Sequence, residues 1–108
     1  MGDYSGFRLL VAELTERIAG FCWWRQSSGE EAELLNLGVA PAARRNGVAS
    51  ALLIELRRRA AGEIFLEVAE NNDAAIRLYV QHGWVRIGLR QRYYPRGINA
   101  IVMKKGSC

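Results

Sequence analysis

At 108 residues, half of them hydrophobic, the chain is long enough for one packed domain over residues 1–108 and too short for two. Its net charge of +4 suits an anionic ligand or an acidic partner, although many ordinary proteins are equally basic. Two cysteines and one histidine cannot supply the four ligands of a typical zinc site, so we expect no metal.

The amino-terminal stretch carries no recognisable targeting signal. MGDYSGF has no basic region, which argues against a secretory signal, and Gly6 stands where a myristoylation signal has Ser or Thr. No apolar run approaches the roughly 18 residues of a membrane span. Cys22 lies in an apolar run, where a small buried thiol is the simplest interpretation. We therefore expect a cytoplasmic protein in a reducing compartment, with no membrane partner.

Apolar alternation predicts three strands in the first part of the chain: Phe7–Leu14, Arg17–Gln26 and Ala32–Val39. A tight turn at residues 15–17 joins the first two strands, and Pro41 ends the third because proline has no N–H to donate to a ladder. Beyond it, apolar residues recur at a spacing of four and predict a helix from about Asn46 to Ala61, which Gly62 ends.

The second half of the chain predicts a buried strand, a helix and a hairpin: Glu63–Glu70, about Asp73 to His82, and Trp84–Tyr94 with Ile98–Lys105. Asn72 is a credible N-cap of the second helix, and Gly83 ends it. The resulting order, β-β-β-α-β-α-β-β, contains a β-α-β unit, which makes two strands parallel with a right-handed crossover. We therefore expect an α/β (α+β) fold with one mixed sheet.

The first helix begins in a way that suits an anion. Its opening stretch, RRNGVASALL, places two arginines and a glycine before an apolar run. Unpaired backbone N–H groups and the helix dipole make a helix start attractive to phosphate. Gly47 and Ala49 leave room for a ligand, and Arg44 and Arg45 can add charge-assisted hydrogen bonds. The motifs of mononucleotide and dinucleotide sites are absent. The alternative is a pair of solvated loop charges beside an ordinary loop glycine.

The same stretch resembles a known motif. VAPAARRNGVASALL is similar to the acetyl-CoA-binding motif of the GNAT superfamily of N-acetyltransferases, Gln/Arg-x-x-Gly-x-Gly/Ala, whose three positions are filled by Arg44, Gly47 and Ala49. LEVAENNDAAIRLYVQHGW resembles a second segment of that family. RQRYYPRGINAIVMKK resembles the ending of its RimI-like branch, enzymes that acetylate the N-terminal amine of a ribosomal protein. The resemblance extends from about Phe7 to Lys105.

The resemblance implies a GNAT-like mixed sheet and acetyl-CoA as cosubstrate. In that fold two central strands splay apart around the pantetheine arm, and backbone amides there stabilise the oxyanion. Gly38 would ease a bulge or a close approach. Asn72 matches a coenzyme contact, although its N-cap role explains it equally. The other implied contacts are, for the acetyl-pantetheine region, Leu37, Gly38 and Val39, and, for the pyrophosphate, Arg44, Arg45, Asn46, Gly47, Val48, Ala49 and Ser50.

Acetyl transfer to an amine needs a base for the amine and an acid for the departing thiolate. Glu67 interrupts an apolar strand, so its carboxylate is partly desolvated and a better proton acceptor. The alternative is a rim carboxylate paired with Arg77 or Arg86. Tyr79 stays protonated at pH 7 and can donate a proton, but its helical spacing also fits a core aromatic. The resemblance assigns the base to Glu67 and the proton donor to Tyr79.

The RimI-like resemblance indicates the kind of acceptor. We expect a protein N-terminal amine, with two alternatives: a small amine such as a polyamine or an antibiotic, or a non-catalytic acetyl-CoA-binding module. Tyr93 and Tyr94 either line the acceptor groove or are ordinary strand aromatics, and His82 is given no catalytic role. Relative to the RimI-like branch, Asn99 replaces an Asp, Ala69 replaces an Arg, and the last hairpin loop is shorter. No nucleic-acid partner is expected.

The family pattern also places a strand and two helices before the segment that begins at Phe7, and those helices shape the acceptor pocket. Without them, we expect a groove that is open, completed by a second copy, or not functional. Apolar sheet surface is expected to lie uncovered near the first strands, to which Trp23 and Trp24 add. We therefore expect a homodimer that buries this surface.

Overall fold

The computed structural model describes residues 6–107, which form one six-stranded sheet and two helices. Of the stretch considered above for a targeting signal, MGDYSGF, residues 1–5 lie outside the described residues, as does Cys108. The predicted order of elements is confirmed, and each boundary falls within two residues of its expected place. The elements are β1 (Phe7–Leu14), β2 (Arg17–Gln26), β3 (Glu31–Val39), α1 (Val48–Arg59), β4 (Glu63–Ala69), α2 (Asp73–Gln81), β5 (Val85–Tyr94) and β6 (Ile98–Lys105).

The sheet is mixed, as the β-α-β unit predicts. Its strand order is β1-β2-β3-β4-β6-β5, and only β3 and β4 run parallel, because α1 carries the chain across between them. The other neighbouring pairs among the described strands are antiparallel. The consequence is that β4 lies inside the sheet, with β3 along one edge and β6 along the other.

Both helices pack on one face of the sheet. The apolar stripe of α1 is buried as the spacing of four predicts, and Leu56 is completely inaccessible. Burial of a leucine side chain is worth about 1.5–3 kcal/mol. In β4 the residues Ile64, Leu66 and Val68 are buried on this face, while Glu67 between them is only partly buried. Alternation therefore turns Glu67 away from the helices, as the sequence predicts.

The opposite face of the sheet carries exposed apolar side chains within residues 6–107. Leu9 is 56% exposed and lies opposite Trp23 in the β1–β2 ladder, where Trp23 stacks on Phe7. The expectation that both tryptophans add to this surface is wrong for Trp24, which is buried on the helix side. In the described part of the chain neither helix is long and apolar enough to cross a membrane.

The β1–β2 turn has an unusual backbone. Thr15 and Glu16 form a two-residue loop between the paired residues Leu14 and Arg17, and their φ angles are 51° and 65°. A type I′ turn requires positive φ at both positions and matches the twist of the hairpin. Thr and Glu disfavour that region because of their Cβ atoms. The twist of the flanking strands therefore imposes a strained loop.

Replacing Glu16 with glycine should stabilise the protein. Removing the left-handed strain gains about 1–2 kcal/mol, and the extra freedom of glycine in the unfolded chain offsets about half of that. We expect the free energy of unfolding in urea to rise by about 0.5–1 kcal/mol. Glu13→Gly, an exposed position within β1, is the matched control and should lose stability. Equal losses in the two variants would contradict this interpretation.

Candidate active site

The start of α1 exposes backbone N–H groups that have no hydrogen-bond acceptor in the described structure. Gly47 is the N-cap with φ of 73°, and no side chain caps the helix. The first helical hydrogen bond runs from the Ala51 N–H to the Gly47 carbonyl at 3.0 Å. Within residues 6–107 the preceding N–H groups, those of Val48, Ala49 and Ser50, have no acceptor. Together with the positive end of the helix dipole they form an anion-binding surface.

The space in front of these amides is open. A Cβ added to Gly47 would meet no other heavy atom within 4 Å. Arg44 and Arg45 are exposed and form no salt bridge with any described residue. Arg45 has a left-handed backbone with φ of 67°, so the loop bends sharply before it enters the helix. The features suit a negatively charged group that several amides and two guanidinium groups can reach.

Three polar side chains of the predicted coenzyme set are used by the protein itself. The Asn46 amide donates to the Ala43 carbonyl at 3.2 Å. The Asn72 side chain accepts from the Ala75 N–H at 3.3 Å and so caps α2. The Ser50 hydroxyl lies 2.9 Å from His82 Nε2, which links the two helices. What Ser50 offers to a ligand is therefore its backbone N–H rather than its hydroxyl.

The two central parallel strands diverge beyond a short ladder. They are paired at three positions, which end at Glu33 and Phe65. Farther along, β3 pairs only with β2 and β4 only with β6 among the described strands. The facing edges of residues 34–39 and 66–69 are thus unpaired with each other, and their backbone groups border a gap. Leu37, Gly38 and Val39 lie at the open end of it.

The bulge that bends β3 is not at the predicted glycine. The β2–β3 register shifts between Trp23 and Trp24, which leaves Leu35 as the extra residue of β3. Gly38 is regularly paired with Phe21, whose ring fills the space that a Cβ would take. The glycine therefore allows a close approach, but by a neighbouring side chain within the sheet.

A cleft of about 450 Å³ opens between β3 and β4. Three glutamates and two tyrosines give it a predominantly acidic and aromatic wall. The polar side chains that line it are Glu31, Glu33, Glu67, Arg90, Tyr93 and Tyr94. Glu31 and Glu33 are not among the predicted site residues, although their alternation in EAELL indicates one polar strand face.

Glu67 forms an ion pair with Arg90. Its Oε1 atom lies 3.0 Å from Arg90 Nε, whereas the alternative interpretation of Glu67 as a rim carboxylate paired it with Arg77 or Arg86. Its Oε2 atom is buried and has no hydrogen-bond partner among the described residues. The side chain is 26% exposed and that of Arg90 is 60% exposed. An ion pair this accessible contributes at most about 1 kcal/mol, so it can be displaced at little cost.

The Glu67 carboxylate affects the pKa values of the two tyrosines in the cleft. Hydrogen bonding of the Tyr93 hydroxyl to Glu67, followed by the negative charge of that carboxylate, raises the pKa of Tyr93 above its ordinary value. Burial, followed by the charge of Glu67, raises the pKa of Tyr94. Their rings meet edge to face at 5.0 Å. Both tyrosines therefore line the cleft as neutral phenols at neutral pH.

Tyr79 lies on the helix side rather than on the cleft wall. It is only 8% exposed, and its ring packs on Trp84 at 5.7 Å. Burial, with smaller contributions from Cys22 and Tyr94, raises the pKa of Tyr79 to about 12. Burial also raises the pKa of the Cys22 thiol to about 12, so this cysteine is inert. The structure thus makes Tyr79 both a core residue and a protonated phenol.

Comparison with known proteins identifies the family. The model of the acetyltransferase (GNAT) family matches residues 2–84. The chain belongs to the GNAT acetyltransferase family. Enzymes of this family take the acetyl group from acetyl-CoA. Within residues 6–107 no three His, Cys, Asp or Glu side chains come together as a metal site requires.

Relatives of the RimI type are among the similar proteins. The chain is 43% identical over 79 residues to the N-alpha-acetyltransferase RimI of Mycobacterium tuberculosis, covering 71% of this chain and 50% of that protein. It is 40% identical over 97 residues to the [ribosomal protein bS18]-alanine N-acetyltransferase of Escherichia coli K12, covering 84% and 65%. The chain thus spans about half to two thirds of these relatives.

The fold of one GNAT enzyme superposes closely on this one. The crystal structure of the ribosomal-protein-S18-alanine N-acetyltransferase from Escherichia coli matches with a TM-score of 0.84 and 30% identity. The match covers 94% of this chain and 70% of that one. The GNAT-like fold predicted from the sequence motifs is therefore confirmed.

The Tyr79 phenol should ionise last of the tyrosines that the structure describes. The native pKa of about 12 lies above the ordinary value of 10.0, so the folded state binds this proton more tightly than the unfolded chain does. Its contribution to stability is complete below pH 10 and is lost as the pH rises toward 12. Tyr79→Phe should remove the last step of an ultraviolet phenolate titration and flatten the loss of unfolding free energy between pH 10 and 12. An unchanged titration would contradict this assignment.

Proposed function

We propose that the chain is an acetyl-CoA-dependent N-acetyltransferase that acts on a primary amine, and that its acceptor is a protein N-terminal amine. The observation that carries this proposal is the opening between β3 and β4, with unpartnered amides of α1 near one end and Glu67 in its wall. The RimI relatives support the choice of acceptor, since the Escherichia coli relative is named a [ribosomal protein bS18]-alanine N-acetyltransferase. A single domain over residues 1–108 and a cytoplasmic location remain predictions.

The coenzyme fits the residues that are available. Acetyl-CoA supplies the acetyl thioester, and its diphosphate suits the free amides of residues 48–50 with Arg44 and Arg45 beside them. Gly47 contributes the open approach. The unpaired edge at Leu37, Gly38 and Val39 suits the amide-bearing pantetheine arm, because it offers a strand edge with free backbone groups. Asn46 and Asn72 complete the predicted set of coenzyme contacts, and both side chains are engaged in the fold.

The cleft wall suits an amine that arrives as an ammonium ion. Three carboxylates line it, those of Glu31, Glu33 and Glu67, and they outnumber the guanidinium groups of Arg90 in the wall and of Arg25, which lies 3.9 Å from Glu33. Glu67 accepts a proton from the ammonium, which frees the nitrogen lone pair for attack on the thioester carbonyl. Backbone amides on the facing edge of β3 stabilise the negative charge that develops on the carbonyl oxygen. The C–N bond forms and the C–S bond breaks as the neutral Tyr79 phenol gives its proton to the sulfur. The nitrogen then loses its second proton, which restores the phenol, and the proton held by Glu67 passes to solvent.

Replacing Glu67 with glutamine should abolish turnover without abolishing coenzyme binding. The assay combines acetyl-CoA with peptides that begin with alanine and, separately, with small amines, and it measures the free thiol released. We expect thiol release with the peptides, and a rate lower by about 10²–10⁴ in Glu67→Gln because the general base is lost. Heat of acetyl-CoA binding in calorimetry should be retained.

Glu31→Gln is the matched control, since it removes the same charge from the same cleft without removing the base. It should mainly raise the acceptor KM. Turnover on small amines alone would move the acceptor to that class. Binding of acetyl-CoA with no turnover on any amine would make the chain a coenzyme-binding module, and no heat of binding would refute the proposal.

We also propose that the open face of the sheet pairs with a second copy of the chain. Exposed apolar side chains lie side by side on this face of β1 and β2, among them Leu9, Val11 and Trp23. Contiguous apolar surface of this kind favours association.

Light scattering at micromolar concentration tests this dimer. We expect a mass of twice the 12.1 kDa chain. Leu9→Glu should give the monomer, because it places a charge within the apolar face. Ile54→Glu, an equally exposed position on the helix side, should leave the dimer intact. A monomeric unmodified protein would contradict the proposal.

A further inference from the structure

The β5–β6 hairpin contains an interruption next to the cleft. Arg90 pairs with Ala100, but the next recorded pair is Tyr94 with Ile98, so residues 91–93 of β5 stand opposite Asn99 alone. Arg92, in the middle of this bulge, has a left-handed backbone with φ of 52°. That conformation is unfavourable for a residue with a Cβ and persists where surrounding contacts fix it.

Asn99 supplies those contacts. Its Oδ1 atom accepts a hydrogen bond from the Arg92 N–H at 2.8 Å, in the place where a ladder would have used a backbone carbonyl. Its Nδ2 atom donates to Glu70 Oε2 at 3.3 Å, and its own carbonyl accepts from the Glu70 N–H at 3.0 Å. One side-chain amide thus fastens the bulge to the end of β4 with both its oxygen and its nitrogen.

The bulge changes which side of the sheet Tyr93 faces. In an uninterrupted strand Tyr93 would point away from the face that Arg90 occupies, because side chains alternate and the two are three residues apart. Here the Arg90 guanidinium lies over the Tyr93 ring at 5.7 Å, and both line the cleft with Glu67. Arg90 is still in register with Ala100, so the irregular backbone is what brings Tyr93 to the side of the sheet that Arg90 and Glu67 share.

We propose that Asn99 is a positioning residue that holds the β5 bulge in the shape that sets Tyr93 beside Arg90 and Glu67. The relevance of this to the acceptor rests on the proposed function, whereas the placement itself does not. The amide is matched to its surroundings, because an aspartate would still accept from the Arg92 N–H but would set two carboxylates side by side at Glu70. The double change Asn99→Asp with Glu70→Gln restores the hydrogen bond between the two side chains, with the amide donor now at position 70 and the carboxylate acceptor at position 99.

A phenolate titration tests the placement independently of any activity. Glu67 raises the pKa of Tyr93, so loosening the bulge should let that pKa fall toward its ordinary value. We expect the fall in Asn99→Ala and in Asn99→Asp, and we expect it to be missing when either change is made in a Tyr93→Phe background. The double variant Asn99→Asp with Glu70→Gln should restore the original titration. Asn71→Ala, an exposed neighbouring asparagine, is the matched control and should change nothing.

Acceptor kinetics connect the placement to function. The acceptor KM should rise about tenfold in Asn99→Asp, since small misplacements in a site are costly, while calorimetry gives an unchanged affinity for acetyl-CoA. The double variant should recover the original KM. Should Asn99→Ala fail to fold, the comparison of Asn99→Asp with the double variant decides the question. An unchanged phenol titration and KM in a folded Asn99→Asp would overturn the positioning role. If the unmodified protein shows no turnover on any amine, the proposed enzymatic function is refuted, and the phenolate titration alone then tests the role of Asn99.

Discussion

The divergence of β3 from β4 is the constraint on which the rest of the site depends. A parallel ladder that continued past Glu33 and Phe65 would satisfy the backbone groups of both strands and close the sheet. The bulge at Leu35 bends β3 away instead, since a bulge inserts an unpaired residue and increases local twist. The resulting gap provides free strand edges and admits ligands to the middle of the molecule. A cleft at the side of an intact sheet would expose side chains but no central backbone groups.

The charges near this gap differ in sign from one part to another. The start of α1 adds the positive helix pole to the guanidinium groups of Arg44 and Arg45. The cleft wall adds Glu31 and Glu33 to Glu67. An anionic donor and a cationic acceptor therefore meet favourable fields in different places, and each is disfavoured in the place of the other. The net charge of +4 does not show this separation of positive and negative charge, because the separation depends on where the topology places the charged residues.

Sequence patterns predicted what alternation and helical spacing determine, and missed what irregular backbone determines. Glu67 was assigned to the face away from the helices, because its strand is regular. The α1 start was placed two residues too early, because Gly47 adopts a left-handed conformation before the first helical turn. The sequence does not indicate Arg90 as the partner of Glu67, since β6 lies between their strands β5 and β4 and the contact depends on the strand order. No local marker in the sequence showed that Leu35, rather than Gly38, carries the bulge.

The two sides of the site differ in how their irregular loops are held. Beside the glutamate-lined cleft, Arg92 is left-handed and Asn99 satisfies its amide, so the chain itself fixes the conformation. At the start of α1, Arg45 and Gly47 are left-handed as well, and the amides of residues 48–50 have no acceptor within the described structure. Exposed amides of this kind must be satisfied by solvent or by a ligand. The fold therefore completes the cleft wall internally, whereas the start of α1 reaches full hydrogen bonding only through a group from outside the chain.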